Sequence, residues 1–378
     1  MALDLKEFSG KLLRFREQLR LSIAEVSTST GIPEDRITSL EVGKATPTGD
    51  EVLILADFYM CDYHFFVSNE KLASFEQTEN MYRRYGDEFS KSDRWGVQEF
   101  LFLCECEELL IGTLQKPRTE FRYEPTGPYF KGHAEDAAAT LRQHFGYAEN
   151  RVPPDVYSDF RKIGLHIFRR RLENSNISGL TVRHPAAGPC ILVNYSEDIY
   201  RQRFTAAHEA AHAIMDHTDI VVSFSKWDPK DLVEIRANTF ASRYLLPPAM
   251  LKRLPVPIWN QPEIVKWSME LKVSTSLLAT ALRENQIIED ETYRDLIKVK
   301  VKTTLKTDPE LDGLTPKSRE RKKMLLERGL SPFYVSLCFD ALAEGAVTNA
   351  RAAEMLLIGE EDLSELAEMF HVKSALYD

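Results

Sequence analysis

The sequence predicts a multidomain, mainly α-helical protein with one α+β domain set among the helices. Three observations predict it. The chain has 378 residues, more than one compact core usually serves, so roughly two to four domains are expected. Residues 1–70 alternate helical periodicity with short turns. From about residue 126 the texture changes, and short β-type runs appear at GLHIF (164–168), GLTV (179–182) and CILVN (190–194).

In the first segment Leu12, Leu13, Phe15 and Leu19 mark a helix. Ser22 is placed to cap a second helix that runs through Val26, and Gly31 punctuates it. Pro33 suits the first turn of a third helix, which carries Ile37 and Leu40 and stops near Gly43. A fourth spans about residues 50–59. Short helices joined by a glycine-containing turn form the helix-turn-helix pattern, so residues 1–70 are expected to be an all-α helix-turn-helix domain. The segment resembles the Xre/Cro-type repressor domain at Leu21, Ser22, Gly31, Ile37, Leu40, Glu41, Gly43, Lys44, Pro47, Leu55 and Ala56.

Residues 71–125 read as a helical connector. Cys104 and Cys106 sit in its apolar stretch FLFLCECEELL, closer together than zinc ligands usually are, and read as helix packing residues. Residues 126–290 form the expected α+β domain, with helices at about 197–217 and 229–246. Residues 291–378 read as a basic linker and a helical C-terminal domain. Within 298–328 there are ten Lys/Arg against five Asp/Glu, read as a solvated face.

Composition narrows the function classes. No stretch approaches the roughly 18 apolar residues of a membrane span. The opening MALDLKEFSGK has no apolar core of the kind a secretory signal needs. Five scattered cysteines fit a reducing compartment, so a soluble cytoplasmic protein is expected. A net charge of −10 argues against a chain that coats nucleic acid along its whole length.

The strongest chemical signal is FTAAHEAAHAIMDH at 204–217. His208 and His212 are four residues apart, so on a helix both imidazoles share one face and can hold one ion. Zinc takes such nitrogen ligands in a tetrahedron, and a catalytic site leaves one position open. Glu209 lies beside the metal rather than on it, where it can accept a proton from water acidified by the ion. Chance would supply such a histidine–acid–histidine pattern about 0.03 times in a chain of this composition. A third ligand is needed. Glu234 lies among Leu232, Val233, Ala237, Phe240 and Ala241, and a carboxylate bordered by core residues requires a partner. Asn238, one turn later, is positioned to hydrogen-bond a ligating histidine.

His217 is the competing third ligand. On a continuous helix it lies about 500° of rotation beyond His212, some 140° from that residue's direction. The HExxHxxGxxH pattern would offer another route, but Met215 stands at its glycine position and Thr218 at its third histidine.

Arg201, Arg203, Phe204, Thr205, Ala207, His208, Glu209 and His212, followed by Glu234, Ala237, Asn238, Phe240, Ala241, Leu245, Leu246 and Pro247, resemble the ImmA/IrrE family of metallopeptidases. The similarity extends to Gly179, Asn194, Val273, Ser274 and Leu282 and covers about 130–290. Ala211 stands where that family often has glycine. The resemblance implies a zincin-like, gluzincin-type fold, with Zn2+ on His208, His212 and Glu234 and with Glu209 as base. Such proteins are regulatory proteases that typically cut a repressor and so switch on a mobile element or stress response. An Xre-type domain ahead of the peptidase is a familiar arrangement, and the tail ALAEGAVTNARAAEMLLIGEEDLSEL resembles the helical end of such fusions.

Two functions stay open: a specific endopeptidase with a repressor as its protein substrate, or a DNA-binding regulator or interaction module whose peptidase domain serves as sensor or scaffold. Arg36, Thr38 and Ser39 are the candidate DNA contacts on the third helix. Against DNA, residues 1–70 carry seven Lys/Arg and twelve Asp/Glu, and Glu34 and Asp35 open that helix. A homodimer is also considered, and no membrane partner is expected. Tyr195, Tyr244 and His217 are candidates for stabilising a transition state.

Overall fold

The computed structural model describes residues 3–371 except 62, 69–74, 128–129, 217, 219, 226–229, 307, 309–310 and 312–314. The chain is mainly helical, with one small mixed sheet.

Five helices build the N-terminal domain: α1 (Leu5–Gln18), α2 (Ile23–Thr30), α3 (Glu34–Glu41), α4 (Gly49–Phe58) and α5 (Tyr63–Val67). Their ends follow from local chemistry. Ser22 and Glu25 form a reciprocal capping box at the start of α2, and Thr48 and Glu51 form another at α4. Gly31 closes α2 at φ 72°, a left-handed conformation that a Cβ would penalise. Phe8, Leu12, Phe15, Val26, Ile37, Leu40, Leu55 and Tyr59 close a core of their own.

The connector consists of α6 (Phe75–Tyr85) and the long α7 (Lys91–Thr113), which Ser90 and Asp93 cap. Then come α8 (Phe130–His144), α9 (Val156–Lys162), β1 (His166–Arg170), β2 (Ile177–His184), β3 (Gly188–Asn194), α10 (Ile199–Met215), β4 (Ile220–Phe224) and α11 (Leu232–Leu245). The sheet order is β1-β3-β2-β4; β1 pairs parallel with β3, and the other pairings are antiparallel. The three strand runs expected from sequence fall in β1, β2 and β3. The edge strand β4 was not foreseen.

Alternation along the strands splits the side chains between two cores. Ile167, Ile191 and Val193 join α8, α10 and α11 in one. Phe168, Leu180, Val182, Cys190 and Leu192 turn to the other face, where α7 covers them. Helices α12 (Pro248–Lys252), α13 (Gln261–Leu271), α14 (Thr275–Glu284) and α15 (Asp290–Leu296) extend the first layer. After α16 (Pro316–Glu327), the tail helices α17 (Pro332–Ala343), α18 (Asn349–Met355) and α19 (Leu363–Met369) return to α7 and complete the second. Connector and C-terminal segment therefore share one core with the far face of the sheet. Cys104 and Cys106 are buried in that core as packing residues.

A charged clamp joins α7 to β1. His166 is 1% exposed, with Nδ1 at 2.8 Å from Glu107 Oε1 and Nε2 at 3.0 Å from Glu108 Oε2. Burial opposes charge on the imidazole, but the two carboxylates outweigh it and push the His166 pKa up to about 9. A pKa raised on folding stabilises fully below the unfolded value near 6.5 and ceases to do so as pH rises through about 9. Stability should thus fall by roughly 2–3 kcal/mol between about pH 6.5 and 9.5. His166→Gln should be destabilised and should lack this part of the profile. Urea denaturation of both proteins across that range checks it.

Candidate metal centre

Helices α10 and α11 cross so that three side chains converge. His208 Nε2 lies 3.1 Å from His212 Nε2 and 3.4 Å from Glu234 Oε2, and His212 Nε2 lies 3.5 Å from Glu234 Oε1. Ligands on a tetrahedral zinc at roughly 2.0–2.1 Å stand about 3.3 Å apart, so the three separations fit one ion. Among the described residues this is the one group of three or more metal-ligand side chains with such spacing.

Local structure aims each group. Asp231 caps α11 by accepting from the backbone N–H groups of Val233 and Glu234, which sets Glu234 in the first turn. The His208 Nδ1–H donates to Asn238 Oδ1 at 3.1 Å, and the His212 Nδ1–H donates to Asp216 Oδ2 at 2.6 Å. With both Nδ1 atoms protonated, two Nε2 lone pairs face each other across 3.1 Å, an arrangement that requires a cation between them. In a metal-free state a proton plays that part. Burial disfavours it, but hydrogen bonds to Asp216 and Glu234 prevail and push the His212 pKa up to about 10. Despite burial, the same imidazoles hold the Glu234 carboxyl well below its usual range.

Glu209 is fully buried. Its Oε2 accepts from the Thr181 hydroxyl at 2.7 Å, while Oε1 has no hydrogen-bond partner among the described residues. Thr181 and Gly179 share the face of β2 that meets α10. A Cβ on Gly179 would stand 2.9 Å from Glu209 Oε1, from the Leu192 carbonyl and from Thr205 Cγ2. The helix therefore sits so close to the strand that only glycine fits. Ala206, Ala207, Ala210 and Ala211, all buried, permit the same close approach on the rest of α10.

Sequence reasoning overlooked Asp216 and Thr181. Asp216 stands four residues after His212, a spacing visible in the sequence, but its position depends on how α10 ends. The helix stops at Met215, not near 217 as expected, because Asp216 turns extended (φ −102°, ψ 144°). Arg183 holds this end by donating to the carbonyls of Ala213 and Asp216, both at 2.7 Å, and Arg236 pairs with the Asp216 carboxylate. The rotation argument against His217 assumed a continuous helix and does not survive this break; His217 itself lies outside the described residues. Tyr244 stands ten residues beyond Glu234, about 15 Å along α11, and donates its hydroxyl to Asp159 at 2.7 Å. Tyr195 packs near the Arg169 guanidinium.

Residues 160–283, which contain this whole arrangement, match the peptidase family model described as the IrrE N-terminal-like domain. Over this third of the chain the sequence is similar to that peptidase family. Residues 12–66 match the helix-turn-helix family model. A comparison with curated proteins returns no match. Among the described residues no helix is long and apolar enough to cross a membrane.

On the helix-turn-helix domain, the candidate DNA contacts are engaged internally. Arg36 donates through Nε and Nη2 to Glu51 at 2.6 and 2.8 Å, and through Nη2 to the Thr46 carbonyl. The hydroxyls of Thr38 and Ser39 donate to carbonyls one turn back, those of Glu34 and Asp35.

The IrrE-like domain should be sensitive to one methyl group on β2. Gly179→Ala forces the backbone of β3 or the side chains of α10 to move, which should cost about 1–3 kcal/mol. Chemical denaturation of the variant beside the parent measures it.

Proposed function

We propose that this chain is a regulatory zinc-dependent endopeptidase, with residues 126–290 as its catalytic domain. His208, His212 and Glu234 hold the metal, Asn238 and Asp216 orient the two histidines, and Glu209 is the general base. The observation that carries the reading is the convergence of two imidazole nitrogens and the Glu234 carboxylate within 3.5 Å of one another, with the other nitrogen of each imidazole already hydrogen-bonded.

A zinc ion held by His208, His212 and Glu234 would supply Lewis acidity toward a peptide carbonyl and lower the pKa of water. Glu209 Oε1 then accepts the proton of the attacking water and later delivers it to the leaving amide nitrogen. Thr181 fixes the other carboxylate oxygen, so the base keeps one orientation through both transfers. Asn238 and Asp216 hold each Nδ1–H and thereby leave each Nε2 as the ligand atom.

The substrate we propose is a DNA-binding repressor or a similarly specific regulatory protein in the cytoplasm. The attached helix-turn-helix domain supports this, because it belongs with regulation rather than digestion. A second reading gives that domain DNA as its partner. The family match favours it; the Arg36–Glu51 pair and the local net negative charge favour a protein partner.

Glu209→Gln should retain stoichiometric zinc while cleavage of the substrate falls by about 10²–10⁴. Glu234→Ala should lose the zinc, and Asp216→Asn should weaken its binding by about 10–100-fold. Metal analysis and a cleavage assay on the same preparations check this, and wild-type cleavage by Glu209→Gln would sink the assigned base.

For DNA, a gel shift on the protein's own promoter should appear at low salt and vanish as salt rises. Thr38→Glu should abolish it and is cleaner than Arg36→Ala, which also breaks the Glu51 pair. No shift at low salt would assign the domain to a protein partner.

A further inference from the structure

A cavity of ≈ 670 Å³ opens where the N-terminal domain, the connector and the β2–β4 end of the sheet meet. Its volume falls in the range of small-molecule sites. Four arginines line its wall: Arg20 just after α1, Arg83 and Arg84 at the end of α6 and Arg94 on α7; Arg83 is paired with Glu79. Tyr82, Tyr85 and Phe224 supply aromatic faces, and Asn176 and Ser225 supply polar edges.

The positive charge here is under-compensated. Arg94 is 5% exposed, yet among the described residues it donates to carbonyls alone, those of Gln18 at 2.6 Å, Gly86 at 3.0 Å and Phe89 at 3.4 Å, and lies over the Tyr82 ring at 4.2 Å. Arg20 Nη2 donates to the same Gly86 carbonyl at 3.1 Å, so two guanidiniums converge on one oxygen. Two carboxylates line the same wall: Asp87, 3.9 Å from Arg20 and fully solvated, and Glu88, which accepts from the Asn174 side-chain amide at 3.1 Å. Asp93, which neighbours Arg94 in the chain, is occupied by the backbone N–H groups of Ser90 and Glu173. Arg84 makes no ion pair among the described residues and lies over the Tyr85 ring at 5.0 Å. Arg94 is the buried charge of the group, whereas Arg20 and Arg84 are exposed with their guanidinium forks open to solvent, and such forks match phosphate oxygens in geometry.

The aromatic groups narrow the ligand class. Tyr85 and Phe224 approach with centroids 5.6 Å apart and tilted by 59°, so they form a corner rather than a closed stack. Such a corner presents ring faces to a planar heterocycle beside the guanidiniums. We propose that this cavity is a binding site for a small phosphorylated heterocycle of the nucleotide class, with phosphate on Arg20 and Arg84 and the base against Tyr85 and Phe224. Arg94 fixes the wall by tying the end of α1 to the Gly86 turn.

Calorimetric titration of the full chain with ATP, AMP, inorganic phosphate and a single-stranded oligonucleotide of about ten residues tests the proposal. ATP should bind most tightly and phosphate most weakly. Arg84→Ala, which breaks no ion pair, should weaken ATP at least about tenfold with an unchanged circular dichroism spectrum. Tyr85→Ala should weaken ATP and leave phosphate unaffected. The proposal is overturned by absence of ATP binding at millimolar concentration, or by equal affinity in Arg84→Ala. It is equally overturned by phosphate binding as tightly as ATP, or by an oligonucleotide that binds more tightly than ATP, which would mark a nucleic-acid groove.

Discussion

The close approach of α10 to β2 is the constraint on which the rest of the molecule depends. It exists because Gly179 has no side chain and because Ala206, Ala207, Ala210 and Ala211 of α10 are small and buried. A helix held that near a sheet places the residue between its two histidines against the strand, so Glu209 meets the Thr181 hydroxyl while His208 and His212 look toward α11. The directions of His208, Glu209 and His212 are thus set by one packing distance. A larger residue at position 179 would alter all of them together.

Electrostatics at the centre are arranged in shells. The two Nε2 atoms and the Glu234 carboxylate form the inner set, and each imidazole is backed by an oxygen, from Asn238 or Asp216. Asp216 is itself paired with Arg236, so its charge is compensated without being withdrawn from His212. Burial makes these interactions strong and makes any unpaired member costly. The inner set therefore tolerates only a positive charge, either a proton on imidazole or a metal ion.

The sheet divides two halves with different roles. One face carries the candidate centre, packed under α8, α10 and α11. The other is covered by α7 and the returning tail helices, and the His166 clamp pins α7 to β1 across that boundary. Such a layered build gives the small sheet two protected faces, which four short strands alone could not provide. It also brings the end of α1 beside the β2–β4 edge, where the arginine-lined cavity lies.

Much of this was legible in the residues alone, and the reason is range. Helix caps such as Ser22, the turn at Gly31, the β-type run CILVN and the four-residue spacing of His208 and His212 depend on neighbours a turn or two away. Backbone geometry fixes such relations before the chain packs. Glu234 was legible too, as a carboxylate among core residues. What the sequence did not reveal were pairings between distant segments: Thr181 with Glu209, Arg36 with Glu51, Arg183 with the end of α10, and the return of the tail to α7. The same holds for Asp216, whose partnership with His212 exists only because the helix breaks beside it. Local propensity decides which elements form; only the packed chain decides which side chains of different elements meet, because that choice is made by volume and buried charge rather than by spacing along the backbone.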